Sequence, residues 1–389
     1  MSLQFLAPYA AHPVLRRAPL AFRAEGGDVA PARNADTASL CIGAQFMLPG
    51  KGGIARVARL TAQVALDEGI ATDCILAAEP ANATVPALGR PARALGGNRA
   101  AFALHCNVAS LRGLKFVYDF CGTGRVHALG PLARRDYALW VHGIEAWSGM
   151  RADYKRVAHQ AHTLFANSFF TRAKAERING GFARAQVCWL GTIEDHLPLK
   201  APRKPGPPTV FILSRQAENR CKGHEALIAE WRHIVAAVPD ARLVIGGAGC
   251  RQAEIRAAIA RSPVAANIAY VGFIPEHELP DYWRQADVFA MPSWGEGFGL
   301  VYIEAMRYGV PVIASIHDAG CEINLDGVTG YNVDQSVRGE LAERVIDLLR
   351  NPARAAQMGR AGQARWSQHF SYSRFRARFA PLLHAFLRA

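Results

Sequence analysis

Two glutamates flank a glycine-rich turn within residues 292–306, and their types and spacing suit the binding of a sugar nucleotide. Glu296 lies in the turn, and Glu304 follows eight residues later within a segment predicted to be helical. The apolar run 286–291 before the turn predicts a short buried strand. A helix N-terminus attracts phosphate, whereas carboxylates accept hydrogen bonds from hydroxyls. On spacing alone, an ordinary strand, turn and helix with solvated acids explains these residues equally well.

This stretch also resembles the signature of the retaining GT-B glycosyltransferases of family 4, in which a Glu-Gly-Phe-Gly sequence precedes a second glutamate at a set spacing. Here the pattern is complete, from Glu296-Gly297-Phe298-Gly299 to Glu304-Ala305-Met306. The resemblance covers nearly the whole chain after residue 36. It implies an α/β fold of the GT-B type, in which two Rossmann-like domains face each other across a cleft and a C-terminal helix crosses back to the first domain.

Length and composition predict a globular protein of two or three domains. The chain has 389 residues, of which 50% are hydrophobic and 20% are charged. It contains neither an apolar stretch of the roughly 20 residues that a membrane span needs nor a secretory signal at its start. Its eight cysteines are scattered without a Cys-x-x-Cys pair, which favours free thiols over a zinc site. A cytoplasmic location is therefore expected.

Strand and helix patterns alternate along the chain, which is typical of a mostly parallel sheet flanked by helices. The apolar run 38–47 predicts the first buried strand, and a glycine loop and a helix over residues 54–68 follow it. Four prolines within residues 202–208 predict a stiff linker. The predicted organisation is an irregular extension (1–36), an N-terminal Rossmann-like acceptor domain (37–200), a Pro-rich linker (201–208), a C-terminal Rossmann-like nucleotide-sugar domain (209–370) and a terminal helix that packs on the first domain (371–389).

Candidate site residues of the predicted first domain follow its strands. By the resemblance, Gly52 and Gly53 face the cleft and the donor, and Arg56 is tentatively an acceptor contact. His142 follows the predicted strand 137–141, and the resemblance places it against the donor sugar; a lone histidine is otherwise more often structural. The stretch 166–172 resembles the family's Asn-Ser-x-x-Thr sequence, although capping of a helix by Ser168 explains it equally well.

The predicted second domain supplies the candidate diphosphate contacts. Arg215 and Lys222 follow the predicted strand 209–213, and a planar guanidinium with a point charge can together neutralise a diphosphate. Two cations near a loop are more often solvated, but the resemblance assigns both to the donor. Ahead of Glu322 the family's paired glycine is replaced by Ala319-Gly320-Cys321, a departure at the donor side. The remaining donor residues implied by the resemblance are Gly246, Gly272, Phe273, Ile274, Gly297, Phe298, Gly299, Leu300, Val301 and Glu304.

The chemistry that the resemblance implies is transfer of a hexosyl group from a UDP- or GDP-sugar with retention of the anomeric configuration. The two cations and the N–H groups around Leu300 would stabilise the leaving diphosphate. No bound metal and no other cofactor is then required, which agrees with the absence of an Asp-x-Asp pair. Glu304 is expected to hold the ribose, while Glu296 and His142, the two candidate catalytic residues, touch the donor sugar from opposite walls. A dedicated nucleophile is not visible, so same-face attack is expected.

The net charge of +13 lies mainly in the first part of the chain. Residues 1–200 hold 23 basic and 14 acidic residues, against 22 and 18 in residues 201–389. Such an excess suits an anionic lipid surface, a phosphorylated acceptor or nucleic acid, and a merely solvated surface explains it as well. With the resemblance, we expect a saccharide or lipid-linked saccharide acceptor, peripheral contact with the inner membrane face, a role in bacterial polysaccharide or lipopolysaccharide assembly, and no nucleic acid.

Two other functions remain open at this point. Gly50-x-Gly52-x-x-Ala55 loosely fits a dinucleotide fingerprint, with Asp73 and Glu79 at plausible distances beyond it. An NAD(P)-dependent Rossmann dehydrogenase is therefore the first alternative. A non-catalytic basic protein that binds membranes or nucleic acid is the second.

Overall fold

Two parallel β-sheets flanked by helices organise the chain in the computed structural model, as the predicted α/β architecture requires. The structure describes residues 40–81, 83, 92–128, 137–193, 206–216, 218 and 222–389. We call residues 40–193 the N-terminal half and residues 206–389 the C-terminal half. Apolar residues of both halves belong to one continuous core.

The sheet of the N-terminal half has the strand order β3-β2-β1-β4-β5-β6-β7, and its described pairs all run parallel. Strands β1 and β5 are buried along their whole length, as expected for apolar runs covered on both faces. The elements are β1 (Leu40–Ala44), α1 (Gly53–Asp67), β2 (Thr72–Leu76), β3 (Arg93–Ala94), α2 (Arg99–Leu111), β4 (Lys115–Tyr118), α3 (Cys121–Ala128), β5 (Tyr137–Val141), α4 (Ala152–Gln160), β6 (Thr163–Ala166), α5 (Phe169–Asn179) and β7 (Gln186–Val187).

The sheet of the C-terminal half has the order β10-β9-β8-β11-β12-β13, again with parallel pairs. Its elements are β8 (Thr209–Leu213), α6 (His224–Ala237), β9 (Arg242–Gly246), α7 (Gln252–Ala260), β10 (Ile268–Gly272), α8 (Leu279–Gln285), β11 (Val288–Ala290), α9 (Leu300–Arg307), β12 (Val312–Ser315), α10 (Gly320–Ile323), β13 (Gly330–Val333), α11 (Glu340–Arg350), α12 (Pro352–Arg365) and α13 (Tyr372–Arg388).

The C-terminal helix α13 lies against the N-terminal half, as predicted. Arg376 Nε donates to Glu68 Oε1 at 2.8 Å, and His384 Nε2 lies 3.0 Å from the other oxygen of the same carboxylate. On its apolar face, the Phe379 ring packs 5.4 Å from the ring of buried Trp140. The alternation of arginines and apolar residues in this helix therefore reflects one face turned to a core and one turned to charged partners.

Two predictions about the chain's organisation lie partly or wholly outside the described residues. The extension 1–36 is one of them, and only residues 206–208 of the linker 201–208 are described, so the linker and the domain boundaries stay predictions. Within the described ranges, none of the helices combines the length and the apolar character that crossing a bilayer demands.

Candidate active site

The predicted site loops leave both sheets at their topological switch points. In the N-terminal half the strand order reverses between β1 and β4, and in the C-terminal half between β8 and β11. Parallel α/β sheets bind ligands at such points, beyond the carboxyl ends of the strands. Gly52 follows β1, Lys222 follows β8 and Glu296 follows β11. The order of the strands therefore explains why residues so far apart in sequence lie near one another.

Two helix N-termini approach each other at this place. Gly52 precedes α1 with φ 91°, and Gly299 precedes α9 with φ 90°, a backbone region that glycine adopts without strain. A Cβ atom built on Gly53 would lie 3.6 Å from Leu300 Cδ1. The positive ends of both helix dipoles are thus available to an anionic ligand between them.

Lys222 and Glu296 form an ion pair in which Lys222 Nζ lies 2.5 Å from Glu296 Oε2. The same ammonium donates to the Gly295 carbonyl at 3.3 Å. The next residue, Gly223, has φ 80°, and a Cβ there would lie 2.3 Å from the carbonyl oxygen of Pro292. A glycine is therefore required for the Lys222 loop to pack on the Glu296 loop. Arg215, the other predicted diphosphate contact, is exposed just after β8.

Asp318 holds the Glu296 loop in place from inside the C-terminal half, and sequence reasoning missed it. Its buried carboxylate accepts from the Ser293 hydroxyl, from Glu296 N at 2.9 Å and from Gly320 N at 2.8 Å. Burial raises the pKa of Asp318 to about 7; the hydrogen bond from Ser293 opposes this rise and the charge of Glu296 adds to it. The signal in the sequence was weak, because Asp318 stands in a short loop after β12 with no motif around it.

His142 lies on the opposite wall, in the loop after β5, with its ring and backbone both held. Its Nε2 is 2.6 Å from the backbone carbonyl of Asp119, and because a carbonyl only accepts, Nε2 carries the hydrogen. Its backbone N–H donates to Glu145 Oε1 at 2.5 Å. Burial lowers the pKa of His142, and the charge of Glu145 opposes that change. His142 is therefore neutral near pH 7, with Nδ1 as a hydrogen-bond acceptor.

The two walls touch at Gly297. A Cβ atom on this glycine would lie 1.8 Å from the carbonyl oxygen of His142, so no other residue fits without moving backbone. The Gly297 carbonyl accepts from Ser168 Oγ at 2.7 Å and from Thr171 Oγ1 at 3.2 Å. Asn167 Nδ2 donates to the His142 carbonyl at 3.0 Å. The Asn-Ser-x-x-Thr stretch therefore fastens the His142 loop to the Glu296 loop. Ser168 also caps α5, as the alternative interpretation predicted.

Glu322, in the C-terminal half, stabilises this contact between the two halves. Its carboxylate accepts from the backbone N–H groups of Phe169 and Phe170, both at 3.0 Å, and from the Trp189 indole. These amides open helix α5, so the acid caps a helix of the other half. Burial raises the pKa of Glu322, while these hydrogen bonds oppose the rise. Where the sequence departs from the family pattern, just before Glu322, the carboxylate of Glu322 thus binds groups of the N-terminal half.

Arg56, tentatively predicted to contact the acceptor, lies on Glu304. Its guanidinium contacts Glu304 Oε1 and is 3.8 Å from Glu276 Oε1. Glu276 also accepts from Arg59 at 2.9 and 3.3 Å and from Gly50 N at 3.1 Å. Burial opposes ionisation of Glu276, but the hydrogen bond from Arg59 and the two guanidinium charges outweigh it and lower the pKa of Glu276. Sequence reasoning missed Glu276, which precedes α8 without a recognisable motif.

The residues predicted to lie near the nucleotide base divide into buried and exposed ones. Ile274 and Phe298 are buried, so their side chains belong to the core and only their backbone can face a ligand. Gly246 packs on Ile274, where a Cβ would lie 2.7 Å from Cδ1. Gly272 has φ 74°, and the Phe273 ring after it is 60% exposed. A Cβ on Gly50 would lie 3.1 Å from Phe273 Cζ, so this aromatic stands beside the glycine loop of the N-terminal half.

The contacts of Glu79 show that it is not the free acid that a dinucleotide fingerprint requires. They also explain why the first strand is shorter than predicted. The buried Oε1 of Glu79 accepts from the N–H groups of Met47 at 2.9 Å and Leu48 at 2.8 Å. The chain therefore leaves the sheet after Ala44, although the apolar run continues to residue 47. Glu79 is a structural acid in the loop that leads to Gly52, and Asp73 is exposed on β2.

Solved structures define the class of this fold. The protein is similar to sucrose-phosphate synthase from Thermosynechococcus elongatus, with a TM-score of 0.74 and 19% identity over 90% of this chain and 99% of that one. It is also similar to Anabaena HepE in complex with UDP and glucose, with a TM-score of 0.70 and 18% identity over the same shares of the two chains. The two parallel sheets and the returning C-terminal helix thus form the GT-B fold, which confirms the predicted fold.

Sequence relatives then define the family. Residues 198–365 match the family model described as glycosyl transferases group 1. A GDP-mannose-dependent alpha-(1-6)-phosphatidylinositol monomannoside mannosyltransferase of Mycolicibacterium smegmatis is 32% identical over 66% of this chain and 72% of its own length. A D-inositol 3-phosphate glycosyltransferase of Pseudarthrobacter chlorophenolicus is 31% identical over 72% and 69%. The chain belongs to the group 1 glycosyltransferases and is a transferase that uses a nucleotide-sugar donor, so the dehydrogenase alternative is wrong.

Proposed function

We propose that this protein transfers a hexosyl group from a nucleoside diphosphate sugar, with retention at the anomeric carbon, to a saccharide or lipid-linked saccharide acceptor in bacterial polysaccharide or lipopolysaccharide assembly. The observation that supports it best is the contact between the two walls at Gly297, because it places the His142 loop opposite the Lys222–Glu296 pair. The names of the mannosyltransferase relatives make GDP-mannose the first donor to test.

The diphosphate would lie where positive charge converges without a bound metal or other cofactor. Lys222 and Arg215 follow β8, and the N–H groups of Leu300 and Val301 open helix α9 after Gly299. These donors would stabilise the charge that develops on the diphosphate as the glycosidic bond breaks. Glu296 already neutralises part of the Lys222 charge, so donor binding would redistribute that ion pair between sugar and phosphate.

The reaction would proceed by same-face attack. The bond from the anomeric carbon to the diphosphate oxygen breaks, the bond to the acceptor oxygen forms, and the acceptor proton passes to the departing diphosphate. Neutral His142 would accept a hydrogen bond from a donor-sugar hydroxyl at Nδ1, because its Nε2–H is engaged by Asp119. Glu304 would accept from the ribose hydroxyls, and Glu296 would contact the sugar from the other wall.

Donor binding and product stereochemistry test this function. We expect GDP-mannose or a UDP-sugar to raise the melting temperature, since a ligand that binds only the folded chain stabilises it by mass action. With a mannosyl or glucosyl acceptor library, NMR of the product should show the anomeric configuration of the donor, and EDTA should not abolish turnover. A protein that no nucleotide sugar stabilises would contradict the donor assignment, and an inverted product would contradict retention alone.

We also propose that the N-terminal half makes peripheral contact with an anionic membrane. Helix α2 exposes Leu104 by 62% and Leu111 by 57%, and exposed Arg99 and Arg112 stand at its two ends. Apolar residues flanked by arginines suit the interface of an acidic bilayer. Sedimentation should show binding to phosphatidylglycerol vesicles that Leu104→Gln/Leu111→Gln weakens. Equal binding to pure phosphatidylcholine vesicles, or none to either, would contradict this contact.

A further inference from the structure

Arg56 lies between two carboxylates of the C-terminal half, and only one of them is predicted to bind the donor. Its guanidinium contacts Glu304 Oε1 and is 3.8 Å from Glu276 Oε1. The Glu304 side chain is only 13% exposed, and its second oxygen, Oε2, is buried with no hydrogen-bond partner among the described residues. In this conformation Arg56 therefore occupies one oxygen of Glu304, and the other is closed to solvent.

This arrangement sets up competition for Glu304. A carboxylate that binds a vicinal diol directs lone pairs of its oxygens toward the two hydroxyls. Glu304 cannot do so while Oε1 accepts from Arg56 and Oε2 is covered. Arg56, whose side chain is 18% exposed, keeps a carboxylate partner on leaving Glu304 only if a second carboxylate stands nearby.

Glu276 is that second acceptor. It already accepts from Arg59 and from the Gly50 amide, and it is ionised because these groups lower its pKa. A carboxylate offers about four acceptor positions, so Glu276 has room for one more donor. A movement of little more than an ångström would bring Arg56 from 3.8 Å to hydrogen-bond distance of Glu276.

We propose that Arg56 is a positioning residue that exchanges between Glu304 and Glu276 when the donor binds. The ribose hydroxyls displace Arg56 from Glu304, and the guanidinium completes its bond to Glu276. Because Arg56 lies on α1 and both carboxylates belong to the C-terminal half, the exchange keeps this guanidinium paired across the two halves as the donor enters. This inference rests on the proposed function, since it assumes that Glu304 binds the ribose of a nucleotide sugar.

Calorimetric titration with two probes tests the exchange, namely GDP and its 2′,3′-dideoxy analogue, with the UDP pair measured in parallel. Arg56→Met should tighten binding of the ribose-containing nucleotide about threefold to tenfold, because Glu304 no longer has to release a partner. Glu276→Gln should weaken the same nucleotide by a similar factor. The dideoxy analogue should respond to neither substitution. In turnover, Arg56→Met should lower both the donor KM and kcat.

Arg59→Met is the matched control, because Arg59 bonds to the same Glu276 one helical turn away and makes no described contact with Glu304. It should change the affinity for both probes alike. The double variant Arg56→Met/Glu276→Gln should behave as Arg56→Met does, since without the Arg56 guanidinium no exchange onto Glu276 can occur. Arg56→Lys, which keeps the charge, should give a smaller tightening and replaces Arg56→Met if that variant does not fold.

Three results separate the explanations. If Arg56→Met weakens both probes equally, Arg56 contributes only charge or contacts the diphosphate, and the exchange is wrong. Additive effects in the double variant would also overturn it. If neither probe binds the unaltered protein, the proposed function fails, and its failure is recognised before any variant is made.

Discussion

In each half of the protein a buried aspartate holds a loop that carries predicted site residues. The two aspartates differ in how directly their side chains contact those residues. Asp119 follows β4 and accepts from Gln45 N at 2.8 Å and Thr123 Oγ1 at 2.6 Å, while its backbone carbonyl orients the His142 ring. Asp318 follows β12 and accepts directly from Glu296 N. The side chain of Asp119 therefore acts on the glycine loop, and that of Asp318 acts on the predicted donor-sugar contact itself.

Burial raises the pKa of both aspartates to about 7, but their surroundings differ. Asp119 is surrounded by hydrogen-bond donors that lower its pKa, whereas Asp318 also faces the charge of Glu296, which raises it further. An ion pair beside Asp318, between Lys222 and Glu296, offsets part of that repulsion. Asp318 therefore has a nearby negative charge that raises its pKa, which Asp119 lacks among its main influences, and four experiments test what this difference means for the two loops.

The largest effect is expected from Gly297→Ala, which acts where the two halves meet. The new Cβ would lie 1.8 Å from the His142 carbonyl oxygen, so the loops that the two aspartates hold would be pushed apart. A displacement of about 1 Å at a reacting centre can cost about a hundredfold in rate. Turnover measured beside circular dichroism should show that loss in a folded protein. Retained turnover would mean that the two loops need not touch.

Asp318→Asn should have the second-largest effect on turnover. An amide cannot accept from the Ser293 hydroxyl and from two backbone N–H groups at once, and each buried donor left without an acceptor costs about 1–3 kcal/mol. The amide oxygen still accepts two of these three donors, so we expect a loss of about 1–3 kcal/mol in the free energy of unfolding, with a fall in kcat/KM of at least tenfold. Urea denaturation and initial rates measure both. An unchanged kcat/KM would remove Asp318 from the site.

Asp119→Asn should have the smaller effect of the pair. The side chain loses one acceptor for Gln45 N or Thr123 Oγ1, but the backbone carbonyl that orients His142 remains. The expected cost is about 1–3 kcal/mol in unfolding free energy, with a smaller change in kcat/KM than for Asp318→Asn. Parallel measurements on both variants give the ranking directly. A reversed ranking would contradict the comparison.

Because both aspartates have raised pKa values, the free energy of unfolding is expected to fall as the pH rises. An aspartate whose folded pKa is about 7, above its unfolded value of about 3.9, binds its proton more readily in the folded chain. Its stabilising contribution is complete below pH 4 and is lost as the pH rises through 7. The stability of the unaltered protein relative to Asp119→Asn should therefore fall between pH 4 and pH 7. Asp73→Asn, on an exposed aspartate of β2, is the control and should leave the profile unchanged.

Local patterns predicted much of this protein from the sequence. Strands 137–141 and 209–213 have the predicted bounds, because short apolar runs between turns leave few alternatives. The Glu296-to-Glu304 stretch forms the predicted turn and helix because glycine at position 299 supplies the conformation that opens α9. The first strand was predicted too long, because the apolar run continues to residue 47, whereas the Gln45 amide donates to Asp119 and the amides of Met47 and Leu48 donate to Glu79.

The pairing of charged residues that are distant in sequence depends on the tertiary structure. Glu276 and Arg59 are 217 residues apart, and Glu322 caps a helix that begins 153 residues earlier. No periodicity marks such partners, because a carboxylate's partner depends on how two separately formed sheets face each other. Local patterns in the sequence are enough to predict most of the helices and strands, the glycine turns and the family's paired glutamates. The packing of the two halves determined that Arg56 lies on Glu304 and that His142 stands against Gly297, because these contacts exist only once both sheets are in place.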